Sequence, residues 1–183
     1  MEGSLTILGI DPGTVNFGYG IIREENGNYE YISSGVLKVS NSKPLKDRLK
    51  FIYNGLEEII RQYKPDVAVI EKIFFAKGIK ATISLGYSRG IALLVIANHD
   101  IPLYEYSTLE VKKAVVGYGR AEKNQVSEMV KFLLSLNRKP PHDSSDALAL
   151  CLCHAHRQNS ELRIRRSEIE NQRSGINFSL RKR

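Results

Sequence analysis

The chain has 183 residues, of which 27 are Lys or Arg and 20 are Asp or Glu, giving a formal net charge of +7. Hydrophobic residues make up 42% and charged residues 26%, which excludes wholesale disorder and suits one domain with an appendage better than two domains. The longest mainly apolar run free of charge, Gly90 to Asn98, falls short of the ~20 residues of a membrane span, and two cysteines, Cys151 and Cys153, make no disulfide framework, so residence in a reducing cytoplasm is expected.

Leu5 to Ile10 is a short apolar run that stops at Asp11-Pro12-Gly13, a buried strand meeting a turn. Phe17 to Arg23 and Tyr29 to Val39 read as two more strands, and the Asn26-Gly27 between them is a hairpin signal. Pro44 to Tyr63 carries Leu45, Leu49, Ile52, Leu56, Ile59 and Ile60 at helical spacing and stops before Lys64-Pro65. Asp66 to Ile70 is a fourth strand, whose continuation delivers Glu71. A helix follows from about Lys80 to Asn98, then a fifth strand from Ile101 to Tyr106, then a helix over Thr108 to Val116 capped by Ser107. Ala121 to Leu136 is amphipathic, and Pro140-Pro141 leads into a last helix, His142 to His156. The order βββ-α-β-α-β-α-α-α predicts an α/β fold, a mixed five-stranded sheet with helices on both faces and with strands four and five parallel beside strand one. Arg157 to Arg183 holds 8 basic and 3 acidic residues with few apolar ones, so residues 1–157 are expected to form the folded domain and 158–183 a mobile basic tail.

Asp11 and Glu71 each follow a buried apolar strand directly, where α/β sheets gather functional groups. Asp143 and Asp146 stand at i and i+3 in the first turn of the last helix, on one face. Taken singly, each has an ordinary reading: a turn, a surface ion pair with Lys72 or Lys77, a helix start. Taken together, four converging carboxylates repel unless neutralised, and paired divalent cations with oxygen ligands, Mg²⁺ or Mn²⁺, neutralise them. Two such ions about 4 Å apart serve in-line phosphoryl displacement. There is no Gly-Lys-Ser or Gly-Lys-Thr of a phosphate loop, and the chain is too short for a two-domain, actin-like kinase. Cys151, Cys153, His154 and His156 point in different directions around one helix and read as packing residues. Whether His142, beside Asp143, assists the site is left open by spacing.

Leu8-Gly9-Ile10-Asp11-Pro12-Gly13-Thr14, Ile70-Glu71-Lys72-Ile73-Phe74-Phe75-Ala76-Lys77 and Leu85-Gly86-Tyr87-Ser88-Arg89-Gly90 resemble segments of the RuvC-type Holliday junction resolvases. So do Gly119-Arg120-Ala121-Glu122-Lys123-Asn124-Gln125-Val126 and Asp143-Ser144-Ser145-Asp146-Ala147-Leu148-Ala149, in the same order. The resemblance covers roughly residues 5–156. It implies an RNase H-like fold and a homodimer that nicks four-way DNA junctions symmetrically in recombination and repair, leaving 5′-phosphate and 3′-hydroxyl ends. It implies metal-binding, catalytic roles for Asp11, Glu71, Asp143 and Asp146 with two Mg²⁺ per subunit (Mn²⁺ substituting), and a catalytic role for Lys123. Phe74, Lys77, Arg89 and Lys112 are implied as DNA contacts, and the junction-binding and branch-migration helicase proteins of the pathway as partners. Spacing leaves open which of Phe74 and Phe75 is presented, and allows at most one of Lys112 and Lys113 to face the site. The chain departs from the family pattern at Lys72, at Gly78 and in Gly86-Tyr87-Ser88-Arg89, which bears on base contacts but leaves all four carboxylates intact. A basic tail adds salt-sensitive, sequence-blind phosphate attraction rather than junction selectivity.

Overall fold

Asn26 and Gly27 both adopt positive φ, 52° and 85°, the turn geometry that folds two strands back with matching twist. The turn joins β2 (Asn16–Glu25) to β3 (Asn28–Lys38), and β2 in turn lies antiparallel to β1 (Leu5–Asp11). In the computed structural model, which describes residues 4–72 and 78–160, β4 (Val67–Glu71) runs parallel to β1, and β5 (Leu103–Tyr106) runs parallel to β4. The sheet order is β3-β2-β1-β4-β5, the mixed five-stranded arrangement that the element order predicts. Phe74, Phe75 and Lys77 lie outside the described residues, as does the chain from 161 onward.

Alternation along β1 divides the molecule into two cores. Leu8 and Ile10 face α1 (Leu45–Tyr63) and α2 (Ile79–Asn98), where Ile52, Leu56, Ile59, Ala92, Val95 and Ile96 are buried. Ile7, on the other face, packs with Val111 and Val115 of α3 (Thr108–Val116), Val126 and Val130 of α4 (Lys123–Leu133), and Leu148 to Cys153 of α5 (142–160). Ser107 caps α3 as expected, and Glu110 completes the reciprocal pair by accepting from the Ser107 N–H. Lys64 ends α1 in the left-handed conformation immediately before Pro65. Helix α5 runs through residue 160 and so includes the first three residues of the expected tail, 158–160. By length and a mean hydropathy of 1.4, α2 alone would suffice to cross a membrane, because the helix continues past the expected apolar run through Lys80 and Arg89. Ala92, Val95 and Ile96 tie it instead to the sheet and α1.

Close backbone approach positions α5. A Cβ on Gly9 would stand 2.0 Å from the Ala147 carbonyl oxygen, and one on Gly18 would stand 2.2 Å from that of Asp143. Gly20 meets Leu148 in the same way, at 2.8 Å. These three glycines of β1 and β2 form a floor on which only a bare backbone leaves room for the helix. Gly9→Ala is therefore expected to lower folding stability by about 3 kcal/mol, the upper end for overpacking against rigid backbone, read as a lower urea midpoint at unchanged slope. A midpoint equal to wild type would contradict this seating of α5.

Candidate active site

The carboxyl ends of β1, β4 and β5 lie side by side, and each delivers a polar group to the same edge of the sheet. β1 ends in Asp11, which alternation turns toward α5. β4 ends in Glu71, which sits opposite Tyr106 of β5 in parallel register. Immediately after β5, Thr108 opens α3 and its hydroxyl donates to the Glu71 carboxylate. From α5 comes Asp146, whose carboxylate accepts from Lys123 Nζ at 3.2 Å, at the first position of α4. Asp11, Glu71, Thr108, Lys112, Lys123 and Asp146 line a cleft of about 240 Å³ whose walls include Val111, Val126 and Leu150.

Electrostatics shows that the carboxylates act on one another. The Asp11 carboxyl is pushed up from 3.8 to about 7, first by burial and then by the charges of Asp146, Asp143 and Glu71, with Lys123 opposing. Asp143 thus belongs to the cluster although it does not line the cleft. Asp146 holds the Lys123 ammonium above the ordinary lysine value, and Asp11 and Glu71 add to the effect while burial opposes it. Lys112 and Lys123 against four carboxylates leave the site with an excess of negative charge.

No three His, Cys, Asp or Glu side chains among the described residues are gathered closely enough to enclose an ion as they stand. The donor chemistry nonetheless fits a hard divalent cation: carboxylate oxygens with an adjacent hydroxyl, no sulfur or imidazole in the lining, and one member held near neutral by burial and by the charge of its neighbours.

The other expected site residues divide. Lys112 lines the cleft, and its neighbour Lys113 does not. Arg89, expected to touch DNA, is corrected: it is 7% exposed, its Nη1 donates to the Glu71 carbonyl oxygen at 2.6 Å, and its Nη2 pairs with Glu105. A guanidinium buried from α2 beneath β4 and β5 holds the strand end that carries Glu71, and it has no path to solvent-borne phosphate. His142 is exposed at the start of α5, outside the lining. The Cys/His group packs as expected: Cys151 Sγ lies 3.4 Å from the Gly20 carbonyl oxygen, His154 Nδ1 bonds the Tyr106 hydroxyl at 2.8 Å, and His156 donates to Ala114 O at 2.8 Å. Burial pushes the Cys153 thiol up to about 12, and Cys151 higher still, so both are inert. Sequence reasoning missed Thr108. Its one signal was its place just past a strand end, the position that also singled out Asp11 and Glu71.

Residues 7–154 match the family model described as "Crossover junction endodeoxyribonuclease RuvC". Proteins described in the same words from Alkaliphilus oremlandii and Tolumonas auensis are 45% and 47% identical over 156 and 158 residues, covering 85% and 86% of this chain and 95% and 91% of theirs. Among solved structures, Thermus thermophilus RuvC in complex with Holliday junction substrate superposes with a TM-score of 0.81 at 29% identity, over 86% of this chain and 96% of that one. The yeast mitochondrial Holliday junction resolvase Ydc2, at 17% identity and a TM-score of 0.60, covers 90% of this chain and 85% of that one and shares the fold.

The raised Asp11 carboxyl carries a sign. The folded protein binds the Asp11 proton more tightly than the unfolded chain, so this group's contribution to stability falls as pH rises from about 4 to about 7 and stays unfavourable above. In chelator, Asp11→Asn is expected to leave the melting temperature unchanged near pH 4 and to raise it by roughly 5–10 °C at pH 8. A calorimetric scan at pH 8 showing no gain would contradict the crowding of charge at this site.

Proposed function

The chain belongs to the RuvC family of crossover junction endodeoxyribonucleases, and from that membership we propose that it resolves four-way DNA junctions by paired symmetric nicks that leave 5′-phosphate and 3′-hydroxyl ends, in homologous recombination and DNA repair. The observation that carries the reading is the meeting of Asp11, Glu71 and Asp146 in one cleft at the sheet edge, with the charge of Asp143 acting on Asp11. A protein that only bound DNA would gain nothing from negative charge concentrated where phosphates must approach.

Asp11, Glu71, Asp143 and Asp146 would hold two Mg²⁺ per subunit, with Mn²⁺ as a substitute. Bound there, the ions supply an activated water and neutralise charge on the scissile phosphate. The protein's own contributions are distinct. Thr108 and Arg89 fix Glu71 by its carboxylate and by its carbonyl, so the group does not have to be ordered when substrate arrives. Lys123, fully protonated beside Asp146, presents an ammonium toward charge that develops at the phosphate. Lys112, on the cleft wall, offers a second cation to the backbone near the cut. Phe74 and Lys77 follow Glu71 by three and six positions, and the family resemblance assigns them to the junction bases and backbone.

Symmetric nicks need two sites, and α2 offers the surface for a second copy. Ile79, Ile83, Tyr87 and Leu94 are exposed along one stripe of this helix, and Cβ atoms at Gly86 and Gly90 would meet open space. An apolar stripe with small residues between its large ones lets two helices approach closely across a two-fold axis. Junction-binding and branch-migration helicase proteins complete the set of partners, and two buried free cysteines suit a reducing cytoplasm.

With a synthetic four-way junction and a matched linear duplex, the wild-type protein is expected to cut only the junction and only with Mg²⁺ or Mn²⁺. Asp146→Asn, which keeps shape and removes charge, should lose about 100-fold or more in cleavage while still binding the junction. Equal cutting of both substrates would sink the junction reading, and an Asp146→Asn protein as active as wild type would sink the site. In sedimentation experiments at micromolar concentration the wild type should run as a dimer and Leu94→Asp as a monomer. A monomeric wild type would reject the α2 interface.

A further inference from the structure

Arg48, in the first turn of α1, is the cation the site does not account for. Its Nη1 donates to Thr14 Oγ1 at 3.3 Å and to Asn41 Oδ1 at 3.1 Å, both neutral oxygens. Its Nε is buried and has no hydrogen-bond partner among the described residues, and no carboxylate among them stands within ion-pair distance. A part-buried guanidinium without counter-charge is uncommon, because its desolvation is normally offset by a carboxylate or phosphate. The chain around it is basic: from Lys38 to Lys50 there are five Lys or Arg and one acidic residue, Asp47. Lys43 and Lys46 are exposed there.

Position makes this cation relevant to substrate. The β3–α1 connection is bonded to the β1–β2 connection through the Val39 N–H and the Val15 carbonyl oxygen at 3.0 Å, so it lies at the same edge of the sheet as Asp11. Thr14, which Arg48 touches, is three residues from Asp11 and at most about 11 Å away by chain length. Thr14 also shares a 2.8 Å hydrogen bond with Ser84 of α2, which anchors it.

We propose that Arg48, with Lys43 and Lys46, forms a second phosphate site that grips the DNA backbone outside the carboxylate cleft, across the rim of the sheet from it. The inference rests on the junction-nuclease reading and extends it. An incoming phosphate brings Arg48 the counter-charge its surroundings lack. The contact is to backbone, so it positions the arm without reading bases or selecting junctions.

The test measures DNA binding by the full-length chain in Ca²⁺, to separate binding from cutting, over a series of salt concentrations. Lys43→Gln with Lys46→Gln changes only exposed side chains, and Arg48→Gln keeps a polar group of similar reach. Each protein is expected to bind both the junction and a linear duplex about tenfold more weakly, with a slope of log K against log salt smaller by about 1 per lost contact. The ratio of junction to duplex affinity should stay as in wild type. Arg48→Lys, which keeps the charge and loses the fork, should fall between. Wild-type affinity and slope in the double-lysine protein would overturn the proposal, and they decide the matter even where Arg48→Gln melts early. Wild-type protein that binds and cuts the junction no better than duplex would instead overturn the junction reading, while the slopes still report on the phosphate site.

Discussion

The backbone of α5 lies in direct contact with β1 and β2, on a floor of three glycines, and the geometry of the carboxylate-bearing edge depends on that contact. A side chain at Gly9 or Gly18 would run into the Ala147 or Asp143 carbonyl and lift the helix off the sheet. Lifted by even the width of a methyl group, α5 would carry Asp143 and Asp146 away from Asp11 and leave Lys123 paired to a carboxylate outside the cleft. Cys151 sits in the same seam with its sulfur against the Gly20 carbonyl, which explains a buried thiol that has no chemistry to do.

Bringing the carboxylates together stores electrostatic free energy in the fold. The cost appears at Asp11, where burial adds to the neighbouring charges and the proton is retained to about neutral pH. The surrounding cations are apportioned so as not to cancel that charge entirely. Among the described residues, Arg89 is engaged by Glu105 and the Glu71 carbonyl, Arg157 and Lys72 by Glu110, and Lys123 pairs with Asp146 inside the cluster. The site therefore keeps an affinity for cations that a fully paired network would lack. Further basic groups stand at its margins, Lys112 on one wall and Arg48 across the rim.

The two faces of the sheet divide the labour. One carries α3, α4 and α5, which supply Thr108, Lys123 and Asp146 to the cleft. The other carries α1 and α2, where Arg89 braces the end of β4, Ser84 anchors Thr14, and the outer stripe of α2 offers an apolar surface. Because α2 both braces Glu71 from within and presents that stripe outward, pairing with a second copy would bear on the strand that positions a catalytic carboxylate.

The order of elements, the hairpin at Asn26-Gly27, the cap at Ser107 and the strand-end places of Asp11 and Glu71 were all legible in the sequence, because each rests on chain-local physics: periodicity, turn conformation, an uncompensated charge in an apolar run. The pairing of Asp143 with Asp146 was legible for the same reason, as a spacing on one helix. Arg89, Thr108 and Arg48 were not. Arg89 lies in a matched motif and reads as a DNA contact; only the packing of α2 against β4 and β5 shows it buried. Thr108 has no charge to mark it, and Arg48 is one basic residue among several until the loops beside it are seen to hold no acid. Sequence determines which groups a chain possesses and where each sits along its own element. Which of them are desolvated, and which are left without a partner, is settled only when distant elements close on one another, because burial and Coulomb energy depend on neighbours in space.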